Sequence, residues 1–64
     1  MDRIIREQKI NLLRNGFSAY AESTELIRLI KRDIFRYALN VLYDETSSGC
    51  WFIPLRQEDT YGNL

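Results

Sequence analysis

Residues 24–43 read TELIRLIKRDIFRYALNVLY, and the fold turns on how far this stretch stays helical. Ile27, Ile30, Ile34, Tyr37 or Ala38, and Val41 recur at steps of three and four, while Leu26 and Leu42 widen the stripe. That spacing gathers apolar side chains on one buried face of an α-helix. No glycine or proline interrupts it, and most of its residues are good helix formers. The spacing predicts one amphipathic helix from Thr24 to Tyr43.

Upstream, Asp2 to Asn15 carries Ile4, Ile5, Ile10, Leu12 and Leu13, which suits a first helix with Asp2 at its positive end. Asn15-Gly16 stops it, because glycine takes the left-handed conformation that ends helices, and Phe17 is placed to pack back on that end. Ser18 to Ser23 leaves two alternatives open. Either Ser18 caps a short turn through Ala19, Tyr20 and Ala21, or Ser23 caps the next helix. Glu22 and Glu25 favour a helix start nearby.

Downstream, Asp44-Glu45-Thr46-Ser47-Ser48-Gly49 is a polar, turn-rich loop. Cys50-Trp51-Phe52-Ile53-Pro54-Leu55 is apolar, too short for a helix, and stopped by proline, so it reads as an extended segment or edge strand. Arg56 to Leu64 has the composition of a polar, disordered tail. The expected domain is residues 1–55, with 56–64 as the tail. The fold class expected is mainly α: an antiparallel helical hairpin with a short extended C-terminal segment packed over its open side.

Sixty-four residues make one domain at most, and the core of so short a chain is thin. Below roughly 70–80 residues one core rarely supplies more than about 3–5 kcal/mol, and small proteins usually add a disulfide, a metal or a second subunit. Cys50 is the single cysteine and the chain has no histidine, so neither an intramolecular disulfide nor a zinc site built on one cysteine is available. Self-association remains, and a homo-oligomer is predicted. The lone cysteine argues for a reducing compartment, and the N-terminus lacks the apolar core of a signal peptide. No apolar run approaches the roughly 20 residues of a membrane span. A cytoplasmic protein without membrane contact is expected.

Catalytic signatures are scarce. Without histidine the commonest general base and the Ser-His and Cys-His pairings are impossible. Gly16, Gly49 and Gly62 stand alone rather than in a phosphate-cradling loop. No cofactor and no enzyme activity are predicted.

The informative feature is the far side of the second helix. Arg28, Arg32 and Arg36 follow at i, i+4 and i+8 and form one basic stripe. Phe35, Leu39 and Tyr43 lie on the same side. Arginine interleaved with aromatics is the composition of interface hot spots. The plainer alternative pairs Glu25 and Asp33 with these arginines and tucks the apolar residues under the first helix or the Trp51 segment. Trp51 itself is either part of a core flap or a second anchor for a partner. Net charge is zero but uneven: residues 1–43 hold eight Lys/Arg against five Asp/Glu, and residues 44–64 hold one against four. A basic face with an acidic tail is one reading of that asymmetry.

The stretch from Glu25 to Leu39 resembles the second helix of the Sda family, small sporulation inhibitors of a histidine kinase, in Ile27, Leu29, Ile30, Asp33, Ile34, Arg36 and Leu39. The resemblance implies an antiparallel helical hairpin that inhibits by docking on its kinase. No functional residue is carried over, because the hairpin turn differs in length and the Trp51 segment has no counterpart. The function expected is that of a non-enzymatic protein-binding regulator, an inhibitor or adaptor. Arg28, Arg32, Phe35, Arg36, Leu39, Tyr43 and Trp51 are its candidate contact residues. A dimeric DNA-binding regulator using the same arginines on phosphates stands second. A structural subunit of an assembly stands third.

Overall fold

The structure, a computed structural model, describes residues 2–55. The tail expected over 56–64 and the side chain of Asp2 lie outside the described residues. Five elements follow one another: α1 (Asp2–Arg14), β1 (Ala19–Ala21), α2 (Thr24–Arg36), β2 (Val41–Glu45) and β3 (Cys50–Pro54). The strands form one antiparallel sheet in the order β1-β3-β2. The chain is therefore α+β, and the expected mainly α helical hairpin, including the one implied by the Sda resemblance, is overturned.

The error sits at the end of α2. The helix stops at Arg36 rather than Tyr43, with Tyr37 as its C-cap. Ala38 turns left-handed at φ 56°. The Leu39 N–H then bonds the Ile34 carbonyl at 2.9 Å and the Ala38 N–H bonds the Phe35 carbonyl at 3.1 Å. These two bonds are a Schellman stop, in a chain segment without the usual glycine. Beyond it, Val41-Leu42-Tyr43 are β-branched, aliphatic and aromatic residues that suit a pleated surface. Val41 happens to continue the helical stripe, and that coincidence carried the periodicity too far.

The first helix ends the same way with the usual residue. Gly16 has φ +88°, its N–H bonds the Leu13 carbonyl at 3.1 Å, and the Phe17 N–H bonds the Leu12 carbonyl at 2.8 Å. Ser18 opens no turn through Ala19, Tyr20 and Ala21, which form β1 instead. Ser23 does cap α2, its side chain accepting from the Leu26 N–H at 3.2 Å.

The Trp51 segment is extended, but it is the central strand and not an edge. Ala19 lies opposite Phe52 on one side, and Tyr43 lies opposite Phe52 on the other. A proline in a central strand needs a reason. Along β3 the residues that bond β2 alternate with those that face β1. The Leu55 N–H bonds the Asn40 carbonyl and the Thr46 N–H bonds the Gly49 carbonyl, which fixes the phase. Pro54 therefore faces the β1 side, where β1 has not yet begun, so its missing N–H deprives no neighbour.

Alternation along the strands sorts the side chains into two faces. Ala19, Ala21, Cys50 and Phe52 point inward and join Ile10 and Leu13 of α1 and Ile30 and Ile34 of α2 in the core. The helices cover this face. Tyr20, Leu42, Trp51 and Ile53 occupy the outer face, where the Tyr20 and Trp51 rings pack at 5.0 Å between centroids. Between the helices, Arg6 of α1 meets Asp33 of α2, Nε to Oδ2 at 3.0 Å, with the side chains 19% and 9% exposed. Nε has no aligned hydrogen bond there, so charge rather than hydrogen-bond geometry holds the pair.

Candidate interaction face on the second helix

One side of α2 is consumed by the core. Ile30 and Ile34 are buried and Leu26 and Ile27 pack beside them. The opposite side carries Arg28, Arg32, Phe35 and Arg36 within about 100° of arc at 3.6 residues per turn. All four are exposed, and Phe35 is 88% exposed. Phe35 thus packs under neither the first helix nor the Trp51 segment.

The arginines are unequally engaged. Arg28 reaches Glu25 at 3.3 Å, an exposed contact one turn away. Asp33, which the plainer reading assigned to the stripe, is turned inward and paired with Arg6 instead. Arg32 and Arg36 make no ion pair among the described residues. Lys31, just off the stripe, leans the other way: it donates to Glu45 of β2 and sits 5.2 Å from the centre of the Tyr43 ring. That hydrogen bond to Glu45 holds the Lys31 ammonium above its usual range.

Beside Phe35 the C-terminal end of α2 and the start of β2 leave a shallow groove of about 480 Å³, lined by Ile34, Phe35, Ala38, Leu39, Asn40 and Tyr43. The structure therefore brings Phe35, Leu39 and Tyr43 together. Leu39 is half-buried against the core, and Tyr43 leans its ring edge-on against Phe52, centroids 5.7 Å apart. Trp51 does not join them. It lies on the outer face of the sheet, away from the helices, paired with Tyr20.

A second cleft of about 410 Å³ lies between the start of α2 and the β2–β3 turn. Its Arg28 and Lys31 are matched by Glu22 and Glu45, and Cys50 forms part of its wall. Burial pushes the Cys50 thiol up, which disfavours the nucleophilic thiolate. The turn is held by Thr46, whose Oγ1 accepts from the Ser48 and Gly49 N–H groups at 3.2 Å each. Among the described residues no three His, Cys, Asp or Glu side chains converge as a metal site requires. No helix among them is long and apolar enough to cross a membrane.

Sequence reading placed Leu42 on the helical core stripe and Tyr20 in a possible turn, and it did not join them with Ile53 into one face; the sheet puts all three on its outer side. The signal was present in the alternation of Trp51 and Ile53, but β1 is three residues long and gave no periodicity to join to it.

These features define a small two-layer α+β protein with a basic, aromatic helix face turned to solvent. The chain belongs to the YtzJ family, matching the family described as "YtzJ protein" over residues 1–53. It is 46% identical over 57 residues to "Uncharacterized protein YtzJ" of Bacillus subtilis strain 168, an alignment covering 89% of this chain and 90% of that one. No solved structure matches the chain.

Proposed function

We propose that this protein is a non-enzymatic, cytoplasmic regulator, an inhibitor or adaptor that docks on a larger protein through the exposed side of α2. The observation that carries the reading is Phe35, an 88% exposed aromatic flanked by Arg28, Arg32 and Arg36. Keeping a phenyl ring in water forgoes about 1.5–3 kcal/mol that burial yields, and a partner surface recovers it. Arginine around such a ring supplies planar donors for carboxylates or carbonyls at the rim. Leu39 and Tyr43 extend the apolar contact into the adjoining groove. The absence of histidine and the buried Cys50 thiol support a non-catalytic role.

The test is capture from a lysate of the source cells, with nuclease present, comparing the native chain with Phe35→Ser and with Arg32→Glu plus Arg36→Glu. A stoichiometric protein held by the native chain and released by both variants supports the reading, provided helicity is unchanged. Equal capture by all three overturns it. The nucleic-acid alternative rests on Arg32 and Arg36, which are unpaired among the described residues. It requires capture that nuclease abolishes and that weakens steeply between about 50 and 200 mM salt.

A further inference from the structure

The two edges of the sheet are not alike. Cys50 and Phe52 bond β1, so of its three residues only Tyr20 turns its backbone N–H and carbonyl to the open side. That carbonyl is taken by Lys9 Nζ at 2.5 Å. A lysine over the edge of a very short strand is how natural sheets block further pairing. At β2 the phase set by Asn40–Leu55 and Thr46–Gly49 directs Leu42 and Asp44 toward β3, and Val41, Tyr43 and Glu45 outward. Among the described residues nothing bonds the outward backbone groups of these three. Within Val41–Glu45 there is no proline, lysine or bulge to discourage a neighbour.

We infer that β2 is the self-association edge of this protein, pairing antiparallel with β2 of a second copy to make one continuous six-stranded sheet. The two-fold axis passes beside Tyr43. Tyr43 faces Tyr43 of the second copy, and Val41 faces Glu45 of the second copy on either side. These are the residues whose N–H and carbonyl groups point outward, so each such pair exchanges two hydrogen bonds. Leu42 faces Asp44, and no like charges meet across the seam. Moving the centre to Asp44 sets two carboxylates face to face, which disfavours that register. On the helix side the two Tyr43 rings become cross-strand neighbours, next to the groove whose rim is Phe35. A second copy answers what the chain lacks, because among the described residues its core holds eight buried apolar side chains and its one cysteine is free.

The inference shares Tyr43 with the docking groove but none of the arginines of the α2 stripe, so Arg32→Glu with Arg36→Glu is expected to leave it intact. The experiment is sedimentation equilibrium of the full chain from micromolar to millimolar concentration, with amide hydrogen exchange at both ends of the range. The expected result is a species of twice the mass of one chain. In it the Val41, Tyr43 and Glu45 amides become protected, while Leu42 and Asp44 are protected throughout. Tyr43→Lys and Tyr43→Glu are each expected to run as single copies and to form a mixed dimer when combined, since opposite charges then meet at the axis. Val41→Pro removes one outward N–H without touching the β2–β3 ladder and is expected to abolish the dimer if the Tyr43 variants fail to fold. A chain of single mass at millimolar concentration overturns the inference. So does a doubled mass with those three amides still exchanging freely, which moves the contact to the outer face around Trp51.

Discussion

Ala38 and Gly16 occupy the same position in two copies of one helix stop, and only one of them is the residue that position prefers. A left-handed alanine crowds its Cβ against the following carbonyl at about 1–2 kcal/mol, whereas glycine is indifferent to that region. Ala38, at φ 56°, is exposed, so little packing offsets the strain. Ala38→Gly is expected to stabilise the fold by about 0.5–1 kcal/mol, the gain in strain less the added freedom of the unfolded chain. Gly16→Ala meets no atom within 4 Å and is expected to lose about 1 kcal/mol through backbone strain alone. Urea midpoints of the two variants check both signs. Gly49 differs, because a Cβ there meets the Ala21 carbonyl at 2.5 Å and the Tyr20 hydroxyl at 2.7 Å. The buried Cys50 gives the residue scale its pH dependence. Its thiol is raised by burial, so the folded chain keeps a proton that the unfolded chain sheds above about pH 8.5. Its contribution is whole below that pH and is lost as pH climbs through the raised value. Stability is expected to fall with pH there, and Cys50→Val to flatten the fall, in denaturant titrations at stepped pH.

Between elements, the contact that a helix-only reading placed wrongly is the one that fixes how α1 and α2 dock. Asp33 has the sequence position of a partner for the arginine stripe, yet it lies on the arc nearer Ile30 and Leu26 and meets Arg6 of α1. Removing one member leaves the other charge in a largely dry seam, whereas replacing both leaves an apolar contact. Asp33→Leu alone and Arg6→Met alone are each expected to cost about 2–4 kcal/mol, and the double variant to cost less than either, as a double-mutant cycle in denaturant measures. Phe35 is the contrasting case: with its ring in solvent, Phe35→Ser is expected to shift stability by no more than about 0.5 kcal/mol. Such elements show what the sequence could and could not reveal. α1, the Ser23 cap and the core face of α2 from Leu26 to Ile34 follow from local periodicity and capping chemistry, which act within a turn or two. The exposed arginines and Phe35 were legible for the same reason. The sheet was not. β1 is too short to alternate, Ala38 hides a helix stop behind a helix-forming residue, and the centrality of β3 depends on pairings that span the whole chain.

At the scale of the molecule, those long-range pairings put a two-helix layer on one face of a sheet whose other face is largely apolar and whose β2 edge is open among the described residues. A fold with so small a core and so much unpaired backbone should not have a single stability; it should have one for each concentration. Pairing that the folded state makes and the unfolded state does not adds stability by mass action, at about 1.4 kcal/mol per dimer, or about 0.7 kcal/mol per chain, for each tenfold rise once concentration exceeds the dissociation constant. If the β2 edge pairs with a second copy, the thermal midpoint of the native chain must climb as the chain is concentrated. That of Tyr43→Lys must stay level, because its axis sets like charges together. The outer face around Trp51 and Tyr20 supplies the control: Trp51→Ser, which leaves the β2 backbone untouched, is expected to lower the midpoint while preserving its rise with concentration. Calorimetry across a hundredfold concentration range separates these cases. A flat midpoint for the native chain assigns its stability to the single copy, and a rise lost in Trp51→Ser but kept in Tyr43→Lys assigns the contact to the sheet's outer face.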